Sequence, residues 1–190
     1  MATDAEIKAA QVVIGAKPDG AFGGRSVDAL VGWLRSHGHL APAVAPNAAR
    51  EGVVYEAQAH VGQWTEAEVD ALWREVGVPQ FVGNWHSLSW CGGYALRCLR
   101  RALGVDWTWK PSYGFLEVHA LPKVSLPEIG DVAYFAKNQH HAIVSAIPGA
   151  GKVTLVNGNG LTAPLEGVTE TTRPIGDATV YYSIRNLVAS

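Results

Sequence analysis

A chain of 190 residues, 48% hydrophobic and 17% charged, has room for a small module and one compact, well-cored domain. Its formal net charge of -2 and sequence pI near 6.4 argue against the basic face that a nucleic-acid partner needs. It contains no apolar run of about eighteen residues, so no membrane span is expected. The N-terminal stretch MATDAEIKAAQ has acids where a secretory leader carries cations, and no apolar core follows. The expectation is synthesis in the cytoplasm without a signal peptide.

In chain order, residues 4–39 read as helix, turn, helix. Ile7, Ala10, Gln11 and Ile14 keep a helical period behind Asp4 as a cap. Lys17-Pro18-Asp19-Gly20 then makes a turn, and Ser26 opens a second helix carrying Leu30, Trp33 and Leu34. The Pro- and Ala-rich stretch that follows reads as a linker, which gives three parts: a helical module at 1–39, a linker at 40–52 and the main domain at 53–190. In that domain Val53, Ala57 and Val61 share a helical face, and Thr65 with Glu68 predicts a capping box ahead of Val69, Leu72, Trp73 and Val76. A further helix over 90–104 carries Tyr94, Leu96, Leu99 and Leu103 and stops at Gly104. Arg97, Arg100 and Arg101 on it read as a solvated face. Beyond Pro111 the pattern switches to period two, with strands predicted at 131–135, 142–146, 153–156 and 179–184. Helices first and an antiparallel sheet second is an α+β signature.

The chemistry concentrates at Ser89-Trp90-Cys91-Gly92-Gly93-Tyr94. A cysteine in the first turn of a helix faces unpaired N–H groups and the positive end of the macrodipole, both of which favour thiolate. Gly92 and Gly93 each sacrifice roughly 1 kcal/mol of helix propensity relative to alanine, which fits a backbone that a substrate must approach closely. The same N–H groups can hold an oxyanion. Cys98, seven positions on among leucines, fits a small core residue. The two thiols lie about 10 Å apart along a helix and cannot pair.

A thiolate nucleophile needs a base. His140 and His141 open an apolar strand, and alternation sends them to opposite faces, so only one is expected to face the helix. Asn157 and Asn159, in Asn157-Gly158-Asn159-Gly160, each offer a side-chain carbonyl to orient the ring, although Asn-Gly is also a common hairpin turn. A metal centre is not expected, because zinc wants three or four closely spaced ligands. No cofactor motif is present.

The pieces Trp90-Cys91-Gly92-Gly93-Tyr94, Gly130-Asp131-Val132, His140-His141-Ala142-Ile143-Val144 and Asn157-Gly158-Asn159 together resemble the CHAP family of cysteine amidohydrolases and peptidases. The resemblance covers roughly residues 53–185. It implies a papain-like domain that cuts an amide bond of peptidoglycan, at the muramoyl–L-alanine link or within the stem peptide. Cys91 would be the nucleophile and His140 the base, with Asn157 or Asn159 as orienting partner. Gln139 departs from the family's usual glycine, and Asn157 stands where many members carry glutamate. The first 39 residues resemble a small peptidoglycan-binding helical module through Gln11, Gly15, Asp19-Gly20, Phe22-Gly23, Ser26 and Trp33. That resemblance implies wall contacts at Asp19, Gly20 and Phe22, while Trp85, Trp90 and Gly92 are the substrate-groove candidates beside Cys91. Trp107, Trp109 and Tyr113 are further aromatic candidates for that groove. With no leader, such a protein would reach the wall by holin-mediated release, as endolysins do, or through a secretion machine. The rival readings are a Cys-His protein deamidase or toxin, and a catalytically silent wall-binding protein.

Overall fold

The computed structural model describes residues 4–13, 30, 46–84, 87–110, 116, 119–160 and 166–188. The chain forms two compact units, 1–44 and 45–190. In the first, helix α1 spans Asp4–Val13, with Gln11 buried. The turn at Lys17-Pro18-Asp19-Gly20 and the wall-contact candidates Asp19, Gly20 and Phe22 lie outside the described residues.

The second unit is α+β. It contains helices α2 (Pro46–Gln58), α3 (Glu66–Glu75), α4 (Cys91–Leu103) and α5 (Arg185–Val188). Its strands are β1 (Gly62–Gln63), β2 (Lys123–Val124), β3 (Val132–Phe135), β4 (His140–Gly149), β5 (Lys152–Asn157), β6 (Gly167–Pro174) and β7 (Val180–Tyr182). Helix α2 corrects the expected linker at 40–52, since residues 46–52 belong to it. Proline is tolerated in a first helical turn, and Arg50 anchors the turn that follows. Its guanidinium donates to Asp131 Oδ1 at 2.8 Å and to the Ile129 carbonyl at 2.7 Å. Val53 and Ala57 are fully buried, but α2 ends before Val61, which is 48% exposed rather than on a core face.

Helix α3 starts where its capping box predicts, with the Thr65 N–H donating to Glu68 Oε2 at 2.6 Å. Helix α4 closes on Gly104 at φ 69°, the left-handed turn that glycine supplies without strain. Its three arginines are not merely solvated. Arg97 and Arg101 bind Glu75 of α3 at 3.0 and 2.6 Å, and Arg100 donates to the Trp107 carbonyl at 2.6 Å.

The strands form one antiparallel sheet in the order β1-β6-β5-β4-β3-β7-β2. One face, with Val132, Ile143, Val156 and Tyr182, packs into the core that Val53, Leu72, Trp73, Leu96 and Leu99 supply from the helices. The opposite face carries Ala133, Phe135, Ala142, Val144, Leu155 and Tyr181. In the hairpin of β3 and β4 Phe135 lies opposite His140, and on the other side Ala142 lies opposite Asn157 of β5. This register brings the ends of both strands to the start of α4. Among the described residues no helix is long and apolar enough to cross a membrane.

Candidate active site

Cys91 is the first residue of α4 and is 2% exposed. Its Sγ lies 3.3 Å from Ser89 Oγ, 3.8 Å from the Gln139 carbonyl oxygen and 3.9 Å from His141 Nδ1. The glycines beside it have a different cause from the one expected. A Cβ on Gly92 would stand 2.7 Å from Trp109 Nε1 and 3.1 Å from His141 Nδ1, and one on Gly93 would stand 3.1 Å from Trp73. Rings of the protein itself occupy that space, so the bare backbone serves packing first. Gly92 nevertheless lines the cavity that opens onto the sulfur.

His140 Nε2 lies 3.1 Å from Asn157 Oδ1. The orientation of that amide follows from its other partners. Asn157 Nδ2 donates to the Leu155 and Thr169 carbonyls at 3.0 and 3.3 Å and reaches Thr171 Oγ1 at 3.0 Å. Carbonyl oxygens accept only, so the atom facing them must be the NH2 and the atom facing the imidazole must be oxygen. Asn157 therefore accepts from His140 Nε2–H, which leaves Nδ1 as the ring nitrogen not engaged by the amide. Burial by itself would push the Cys91 thiol up, but hydrogen bonding and charge from His140, and then from His141, bring it down to about 5. Burial likewise disfavours a charged His140, yet its bonds to Cys91 and Asn157 raise it above the ordinary imidazole value. Both shifts favour the charged form, thiolate at Cys91 and imidazolium at His140.

Comparisons with protein-family models, with curated proteins and with solved structures find no match.

Strand alternation does place the two histidines on opposite faces, and it is His141 that points toward the helix, against Gly92. The expectation that only the helix-facing ring meets the sulfur needs correcting. Cys91 sits at the end of its helix, level with the first residue of β4, where Gln139 bends the chain at φ 52°. From that position His140 as well as His141 favours the ionised thiol. The side-chain amide of Asn157 is in place to hold the His140 ring.

Asn159 does not share that role. It adopts φ 55°, and its Nδ2 donates to Ser89 Oγ at 3.5 Å, so it touches the sulfur's neighbour rather than the imidazole. A Cβ on Gly158 would stand 2.5 Å from Tyr94 Cβ, which shows how closely the turn between the two asparagines abuts α4.

Trp90 is not a groove residue. It is fully buried, stacked on Trp64 at 5.0 Å, with Nε1 donating to Glu166 at 3.2 Å. Trp85 and Tyr113 lie outside the described residues, and Trp107 stacks on His119 at 4.1 Å. Trp109 is the aromatic that borders the site. It joins Leu88, Ser89, Tyr134, Lys110, Lys137 and Gln139 around a cavity of about 430 Å³ that contains Cys91, Gly92 and His141. Trp109 is among the aromatic groove candidates read from the sequence, whereas the two lysines are not, and Ser89 stands two residues before the cysteine, where it could have been found. Among the described residues no group of three or more His, Cys, Asp or Glu is placed to hold a metal ion.

Proposed function

We propose that the chain is a cysteine amidohydrolase of the papain-like type, similar to the CHAP family, which cleaves an amide bond of peptidoglycan. The observation that carries the chemistry is Cys91 at the start of α4 beside His140 and His141, with Asn157 Oδ1 3.1 Å from His140 Nε2. The wall substrate rests on the two motif resemblances, one in each compact unit.

In the reaction, Cys91 Sγ attacks the amide carbonyl and forms a tetrahedral oxyanion. N–H groups in the first turn of α4 have no carbonyl partner within the helix and are available to that oxyanion. The His140 imidazolium gives its Nδ1 proton to the amide nitrogen, the C–N bond breaks and an acyl-thioester remains. Water then attacks the thioester while neutral His140 takes its proton. The C–S bond breaks, and thiolate and imidazolium are restored.

The test is digestion of purified sacculi by the wild type and by Cys91→Ala, with the released fragments identified by mass. New muramoyl ends indicate an amidase, and new stem-peptide amines indicate an endopeptidase. The expected result is release by the wild type alone. Ammonia from protein glutamine with intact sacculi would replace this reading by a protein deamidase, and equal behaviour of both proteins would leave a binding protein.

A further inference from the structure

Around Cys91, the charged side chains among the described residues that line the cavity mouth are all cationic. Two of its described lining residues are lysines, Lys110 and Lys137, both exposed, and none is Asp or Glu. Apart from Cys91, Gly92 and His141 at its floor, the other described lining residues carry no formal charge: Leu88, Trp109 and Tyr134 are largely apolar, and Ser89, Asn138 and Gln139 are polar. This asymmetry occurs in a chain whose formal net charge is -2, so it does not follow from composition. At about 430 Å³ the cavity falls in the range of roughly 300–1,000 Å³ usual for small-molecule sites. A basic mouth on a confined cleft raises the local concentration of anionic ligands.

We propose that this cleft selects substrates bearing a free carboxylate close to the bond that Cys91 attacks, with Lys110 and Lys137 as the groups that receive it. The proposal deepens the hydrolase reading and rests on it for the word substrate, but the charge preference is a property of the cleft and is measurable without turnover. A carboxylate held there would be attracted by both ammonium groups. Its neutral amide analogue would lose that attraction and keep the apolar contacts with Trp109 and Leu88. Lysine acts as a flexible point charge rather than a bidentate fork, so the selection is for charge and not for one fixed geometry.

The experiment compares alkylation of Cys91 by iodoacetate and by iodoacetamide, read by mass on the full chain. In both reactions the sulfur displaces iodide and one S–C bond forms, and the reagents differ in carrying a carboxylate or its amide. The iodoacetamide rate reports the intrinsic reactivity of the thiolate in each variant, so the ratio of the two rates isolates the charge preference. Lys110→Gln and Lys137→Gln should each lower the iodoacetate-to-iodoacetamide ratio by about threefold to fivefold, the size of an exposed ion-pair effect. The double variant should lower it further, and 1 M salt should shrink the wild-type ratio toward that of the double variant. A ratio that neither lysine moves overturns the proposal. If the ratio shifts as stated but sacculi remain intact, the charge-selective cleft stands and the wall reading falls. If sacculi are cut while the ratio is indifferent to both lysines, the reverse holds.

Discussion

Cys91 and Cys98 ride on the same helix and are equally hidden, each 2% exposed, yet their thiols are driven in opposite directions. Burial pushes Cys98 up to about 12, with only the nearby charge of Arg97 and weaker effects opposing it. Burial acts on Cys91 in the same sense, but His140 and His141 outweigh it and the thiol falls to about 5. Depth is common to both residues and so cannot explain the difference. Two things do: imidazoles at one site and none acting at the other, and a helix start against a helix interior. A buried cysteine is thus inert or reactive according to what the sheet brings to it.

The largest effect expected from that contrast is chemical selectivity. At pH 7 a thiol of pKa 5 is nearly all thiolate, whereas one of pKa 12 is ionised on the order of one part in 10⁵. Iodoacetamide should label Cys91 in the folded protein and leave Cys98 untouched until denaturant is added. Equal labelling in the folded state would break the comparison. Sacculus hydrolysis should disappear in Cys91→Ala and persist in Cys98→Ala, whose cost should appear in thermal stability instead. Next in size come the histidines. His140→Ala removes the oriented acid and base and should lower kcat by about 10²–10⁴-fold. His141→Ala loses a ring packed on Gly92, with an expected loss within about tenfold. If the two values are exchanged, His141 is the base, and its 3.9 Å approach to the sulfur would be the productive one.

How far the sequence anticipates this site depends on which interactions are local. The start of α4 at Cys91, the capping box of α3 and the hairpin of β3 and β4 are all legible, because periodicity and capping act within a few residues. Strand β6 is missed because GVTETTRP turns alternate polar side chains outward and puts little hydrophobic signal on its inner face. The first turns of α2 pass for linker because Arg50, read alone, is a polar residue. Its partner Asp131 lies far along the chain and supplies the reason for a helix there. In the site, motif order picks out Cys91, His140 and Asn157, which the fold brings to the start of α4. The role of Trp90 is misjudged, because nothing local distinguishes an indole stacked on Trp64 from one lining a groove. Lys110 and Lys137 meet only through the tertiary fold, and no spacing rule would have paired them.

Smaller effects concern how the ion pair is held, and pH profiles read them. Above about pH 5 Cys91 is thiolate, so activity should rise through that value as pH increases. It should fall again where His140 loses its proton, above the ordinary imidazole value because its pKa is raised. Asn157→Ala removes an acceptor that favours imidazolium, so the alkaline limb should move down and kcat should drop about tenfold as the ring loses its tautomer lock.

Ser89→Ala should have the smallest effect, and it is the one most specific to the sulfur. Asn159 Nδ2 donates to Ser89 Oγ, which leaves the hydroxyl proton free to donate to Sγ at 3.3 Å. A hydrogen bond to an ion contributes more than one to a neutral group. Its loss should raise the acid limb by about one pH unit, with the plateau nearly unchanged. A hydroxyl that only fills space would behave otherwise, lowering the plateau and leaving the limb in place. Asn159→Ala acts one bond further away and should shift the same limb by less, in the same direction. If Asn159→Ala moves the limb and Ser89→Ala does not, the amide reaches the sulfur directly, and the order of the two residues must be reversed.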